Sequence, residues 1–154
     1  MFATPKSLFR VLAFAEAVTW TLLITGLILR ATMGLDVAVS IGGAIHGFVF
    51  LAYGATAVLL TVNQRWSVGT AVLTIGSAVV PYATIPVELW LARSGRLNGD
   101  WRKEASDHPR DAGWVDRTMR WALNHPVLLV SVIVAAVVVL YVVLITLGPP
   151  GGGE

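Results

Sequence analysis

Four runs of this sequence are almost free of charge for twenty residues or more: Leu8 to Leu29, Ala38 to Val62, Trp66 to Ala92 and Pro126 to Leu147. No other feature limits the fold as tightly. A helix rises 1.5 Å per residue, so each run is long enough to cross about 30 Å of hydrocarbon. Lipid offers the main chain no hydrogen-bond partner, so a crossing segment must satisfy its own N–H and C=O groups as an α-helix. Charge supply points the same way. Only 13% of residues are charged and the mean hydropathy is +0.74, against about 25% charged residues in a soluble domain. The expected fold is an all-α, polytopic membrane helical bundle.

The sequence has no cysteine, which excludes disulfides, thiolate metal sites and thiol chemistry. Its net charge of +2 and pI near 9.4 come from arginine-rich flanks of the apolar runs. Basic residues in such positions report topology and lipid contact rather than nucleic acid. The first run has the look of a signal peptide, but Glu16 interrupts it and no small-residue cleavage site follows. It is read as an uncleaved first span. There is no internal repeat of the kind that builds inverted-repeat transporters.

The chain divides into a three-segment membrane domain (1–96), a polar loop (97–125), a C-terminal transmembrane helix (126–147) and a flexible tail, GPPGGGE (148–154). The last run has no charge and no glycine before Gly148, and reads as a lipid-facing anchor. Within the loop, DAGWVDRTMRWALNH places Trp114, Val115, Met119 and Ala122 on one helical face, with Asp116 and Arg120 paired on the other. This pattern suits a helix lying at the membrane surface, or a solvated linker helix.

Orientation depends on the third run. With four crossings, Lys6, Arg10 and Arg65 share one side. Arg30 and the loop's Arg93, Arg96, Arg102, Lys103, Arg110, Arg117 and Arg120 share the other, which puts both termini outside the cytoplasm. Pro81 and Pro86, in VVPYATIPVELW, open a second arrangement. A re-entrant third segment gathers every basic residue except Arg30 on one side. Prolines in membrane helices more often kink than reverse. Four crossings with a Pro-kinked third helix is therefore the expectation, and the re-entrant form its alternative.

Three ionisable residues lie within the apolar runs: Glu16, His46 and Glu88. A charge at the bilayer centre costs on the order of 2.5–3.5 kcal/mol on insertion scales, so these residues face the bundle interior, stay neutral or find partners. Depth along the runs favours a His46–Glu88 pair over Glu16–His46, although Glu88, beside Trp90 and Arg93, reads first as a residue that snorkels to the interface. At 100° per residue, Thr70, Thr74, Ser77, Pro81, Thr84 and Glu88 form one stripe, suited to a proton or solute path or to hydrogen-bonding glue between helices. Gly43, Gly47 and Gly54 align on one face of the second run, with Gly43 and Gly47 at the small-xxx-small spacing of close helix packing. His46 flanks that face. It reads as a structural histidine in a tight contact, with a proton switch or a quinone or lipid partner as the sharper alternatives. Bis-histidine haem needs a second buried histidine at that depth, and His108 and His125 lie in the loop and at its end.

No phosphate-binding glycine loop, HExxH or nucleophile elbow is present. Asp107, His108, Asp111 and Asp116 make only a poor metal set, interrupted by proline and arginine. No catalytic residue, cofactor or metal is expected.

Together, AFAEAVTWTLL, the His46-Gly47 pair and VVPYATIPVELWLAR resemble the YdzA-like small bacterial integral membrane proteins, a domain of unknown function with an HG dipeptide. The resemblance covers about residues 8–96, and the rest of the chain reads as a C-terminal extension. The family's Pro-Phe-Gly-Thr pattern stands here as Pro81-Tyr82-Ala83-Thr84, and loss of the glycine favours a kink over a tight reversal. The resemblance implies a bacterial cytoplasmic membrane and supplies no activity. The functional expectation is a non-enzymatic accessory or assembly subunit of a larger membrane complex, in contact with lipids and with a membrane-protein partner or its own copies. A small oligomeric proton-linked transporter or channel is the alternative.

Overall fold

A computed structural model describes residues 4–147. The expected flexible tail, 148–154, lies outside the described residues. Among them every regular element is helical: α1 (Pro5–Met33), α2 (Asp36–Asn63), α3 (Val68–Gly76), α4 (Thr84–Arg93), α5 (Trp114–Asn124) and α6 (Pro126–Leu147). Three of these, α1, α2 and α6, are long and apolar enough to cross a membrane.

Local chemistry sets the ends of the first hairpin. Thr4 caps α1 by accepting from the Ser7 N–H, and Pro5 occupies the first turn, where no N–H partner is lost. Gly34 ends the helix at φ +68, with its N–H returning to the Arg30 carbonyl. Only Leu35 then intervenes before α2, so α1 and α2 run antiparallel in close register. A Cβ on Gly26 would lie 2.7 Å from the Ala38 carbonyl oxygen, and one on Gly42 would lie 2.8 Å from that of Leu22. These two glycines are where the backbones touch.

The third apolar run does not form one helix. α3 tightens into a 3-10 turn at Ser77–Val79, and Val80 is extended (φ −104, ψ 124), as a residue before proline prefers. The Ala83 N–H then bonds to the Val80 carbonyl at 3.1 Å, across Pro81 and Tyr82. With proline second and a positive φ (65) at the third position, this follows the type II turn pattern. The chain reverses there. Trp20 Nε1 donates to the Ala78 carbonyl (3.3 Å), and Tyr82 lies 3.3 Å from the Thr21 hydroxyl. Thr84 then donates to the Ala13 carbonyl at 3.1 Å, and Glu88 meets Arg10 at 2.9 Å. Each step moves α4 back along α1 toward its start. Trp66 Nε1 closes the loop on the Arg96 carbonyl at 2.9 Å.

The expectation of a third crossing therefore differs from the structure. The lost glycine did not matter because Tyr82, not Ala83 (φ −65), takes the left-handed conformation. Phe9, Ala13, Tyr53, Leu60, Trp66 and Leu91 pack into the core that α1, α2 and this hairpin enclose. On the other side of α2, α6 leans by Tyr141 against Gly47 and Phe48, and its side chains point mostly outward, with Val137 buried.

Candidate functional site

The close register of α1 and α2 brings Glu16, Thr19 and His46 together. Glu16 Oε2 lies 3.4 Å from His46 Nδ1, and Thr19 Oγ1 lies 3.1 Å from the same nitrogen. Thr19 also approaches the Glu16 main-chain carbonyl (3.0 Å) and Oε2 (3.3 Å). A hydroxyl has one hydrogen, so it satisfies one acceptor and must itself accept from another group. Thr19 can thus donate to the Glu16 carbonyl or to Oε2 while it accepts from a protonated His46 Nδ1. The Trp20 ring lies against the imidazole at a tilt of 52°, with centroids 4.5 Å apart. Glu16 is 0% exposed, and its Oε1 has no hydrogen-bond partner among the described residues.

This is not the expected pairing. Depth counted from the ends of the apolar runs sets Glu16 and His46 on opposite sides of the midplane. The two-residue connection instead fixes the register, with Gly26 against Ala38 and Leu22 against Gly42, so Thr19 falls level with His46. Glu88 is not His46's partner, because the reversal carries it back to the start of α1. There it is buried and paired with Arg10. It does not snorkel beside Trp90 and Arg93; the cation stacked on Trp90 is Arg96, 4.5 Å above the ring.

Thr70, Thr74, Ser77, Thr84 and Glu88 are all buried, but the turn divides their stripe in two. The first half meets α2, where the Tyr53 hydroxyl donates to the Thr74 carbonyl and lies 3.1 Å from Ser77 Oγ. The second half meets α1 through Thr84 and Glu88. These polar atoms bond helix to helix. The expected glycine face also moves. Gly43 meets only the tip of Leu23, Gly47 meets the Tyr141 ring, and Gly54 has nothing within 4 Å. The row of α2 that faces α1 runs instead through Gly42, His46, Tyr53 and Ala57, one residue around the helix.

The polar loop folds into an ion cluster over the end of α2. The last carbonyls of a helix lack partners within it. Arg102 supplies them, donating to the Val62 and Asn63 carbonyls at 2.5 Å each while its own N–H bonds Asn63 Oδ1. Its guanidinium also reaches Asp111 (3.0 Å) and Asp116 (2.7 Å). Asp111 further gathers Arg65 (2.5 Å) and Arg120 (3.3 Å), and Ser106 donates to it from both N–H and hydroxyl at 2.7 Å. The Ser106 donors, reinforced by Arg65, hold the Asp111 carboxyl well below the usual carboxylate range.

The expected Asp116–Arg120 pair is thus replaced by two pairs to other residues, and the side of α5 that carries them faces the protein. Its buried face is Asp116, Met119, Arg120 and Leu123, while Trp114 (78% exposed) and Trp121 (55% exposed) face outward. Asp111 and Asp116 face arginines, and no group of three metal-ligating side chains occurs among the described residues.

The sequence did not single out Arg10, Tyr53, Gly26, Gly42 or the Arg102 cap. The signal for Arg10 was present: the re-entrant form gathers the basic residues at one end, which places Glu88 beside it.

A family profile described as a domain of unknown function (DUF3817) matches residues 6–93. That span holds the Glu16 segment, His46-Gly47 and the Pro81 turn, the same residues that carry the resemblance to the YdzA-like proteins. A protein of Streptomyces coelicolor that bears a membrane-protein name is 35% identical over 88 residues, 56% of this chain. The chain matches about a tenth of that relative's length. No solved structure matches the chain.

Proposed function

The chain belongs to the DUF3817 family of membrane proteins, and from that footing we propose that it is a non-enzymatic accessory subunit that works by associating with a larger membrane protein. One observation carries this reading. In the Streptomyces coelicolor relative, the matched module makes up 10% of a far longer membrane protein. A covalent link supplies a high effective concentration between a module and its neighbours. The same module here carries outward apolar surface through which it can pack against such a neighbour. Outward residues such as Phe14, Val18 and Ile28 on α1 offer apolar surface for lipid or a neighbouring helix.

In this reading α1, α2 and α6 cross a bacterial cytoplasmic membrane and the α3–α4 hairpin enters and leaves from one side. The basic residues other than Arg30 then lie in the cytoplasm.

Gentle extraction of the tagged full chain from its native membrane, followed by mass spectrometry, tests the proposal. The expected result is a stoichiometric membrane protein several times its size. A homo-oligomer with no larger partner overturns it.

The buried Glu16–His46 contact, with one carboxylate oxygen unpartnered, favours a second reading as a proton-linked carrier. That reading requires pH-driven flux in liposomes that Glu16→Gln abolishes. In the accessory reading the same variant changes only assembly or abundance.

A further inference from the structure

The family domain and the C-terminal extension meet along a groove that neither forms alone. In its far half α6 lies close on α2, with Tyr141 against Gly47 and edge-on to Phe48. Toward the cationic end the helices leave a space of about 460 Å³, walled by Leu8 and Leu59 on one side and by Leu129 and Ile133 on the other. Trp101 and Lys103 line its end at the polar loop, and Thr56 adds one hydroxyl. An aliphatic void forfeits the dispersion contacts of its walls, and water needs two to four polar partners to fill it. Along Leu59, Leu129 and Ile133 the walls do not provide them.

We propose that this groove holds one anionic phospholipid of the surrounding bilayer, with an acyl chain along α6 and its phosphate at the Lys103 ammonium. The groove's size suits one acyl chain of this lipid, with the second chain left in the bilayer. It falls within the roughly 300–1,000 Å³ of single-ligand sites. From Pro126 to Val134 it follows α6 for about 12 Å at 1.5 Å per residue. A partner helix about 10 Å across would need roughly 900 Å³ over that length, twice the space present. Charge suits it too. Lys103 is exposed, and no carboxylate pairs with it among the described residues. It stands at the end where every basic residue except Arg30 collects, and such clusters attract anionic headgroups. Trp101 has the amphipathic ring that favours this interfacial depth.

The test uses the full chain in vesicles of equal parts phosphatidylglycerol and phosphatidylcholine. The protein is extracted into mild detergent and its retained lipids are weighed by native mass spectrometry. One phosphatidylglycerol per chain is expected, in preference to phosphatidylcholine. Lys103→Ala should lower that preference about five-fold, and Ile133→Trp should expel both lipids by filling the groove. Arg117→Ala removes an equal charge at the same end but outside the groove, and should change nothing. Equal retention of the two lipids by the natural chain overturns the proposal. So does an equal loss in Lys103→Ala and Arg117→Ala, which marks diffuse surface attraction, or a polypeptide cross-linking to Ile133 in place of lipid. Lys103 is exposed, so its variant keeps the test decisive should Ile133→Trp fail to fold. The proposal does not rest on the accessory reading, since a chain without a protein partner retains the lipid all the same.

Discussion

At Gly26 and Gly42 a single hydrogen in place of a side chain allows two main chains to touch. A methyl group at either position would meet a carbonyl oxygen of the opposite helix at 2.7–2.8 Å. Neither backbone can yield without moving its whole helix, and the Glu16–His46 contact depends on that spacing. Gly26→Ala and Gly42→Ala should each cost roughly 1–3 kcal/mol, the usual penalty of overpacking. Gly54 has open space where its Cβ would lie, so Gly54→Ala should gain up to about 1 kcal/mol from helix propensity alone. Thermal unfolding in detergent separates the two signs, and a loss at Gly54 equal to that at Gly26 would refute the register. Gly54 was legible in the sequence as part of a glycine face. Which face met which helix was not, because a 100° step fixes relative angles and leaves the partner's direction open.

Among the elements, α2 is the one whose end the extension holds. Arg102 caps its carbonyls, and Asp111 holds Arg102, Arg65 and Arg120 in place. Because the Asp111 carboxyl is held low in the folded state, its contribution is present above the unfolded value of about 3.9 and is lost as pH falls through the folded value. Hydrogen exchange over residues 100–112 should therefore stay slow from pH 7 to pH 5 and rise progressively below about pH 4, after correction for intrinsic rates. Asp111→Asn should show the fast exchange already at pH 7. Loop charges alone suggested a solvated linker, and their sequence spacing suggested an Asp116–Arg120 pair. Both readings missed that an unsatisfied helix end nearby would draw the guanidinium groups inward. The α3–α4 turn was better signposted. Pro81 marked the break, but the family's glycine directed attention to Ala83 while the strained position is Tyr82.

For the molecule as a whole, the returning hairpin leaves one end rich in cations and the other with the Arg30–Asp36 pair. The chain has no cysteine, so single cysteines can report each side without background. Lys6→Cys and Ser94→Cys should react with an impermeant maleimide from the same face of the membrane, and Thr32→Cys from the opposite face. Ser94 reacting with Thr32 would restore a third crossing. The membrane class and the three long apolar helices could be read directly, because runs of twenty residues almost free of charge leave few alternatives. The pairing of Glu16 with His46 could not be read that way, since it follows from a two-residue turn rather than from any side chain in the pair.

The short reversing hairpin also bears on how the molecule is made. α3 and α4 have 9 and 10 residues, about half the length needed to span hydrocarbon. Neither can partition from the translocon into lipid as an independent segment, because each would carry unsatisfied main-chain groups into the bilayer. They must wait for α1 and α2 to leave the ribosome and pair, then enter against a surface that already offers the Ala13 carbonyl and the Tyr53 hydroxyl. Biogenesis thus acquires an order. The first hairpin serves as template for the second, and α6 follows both in the chain.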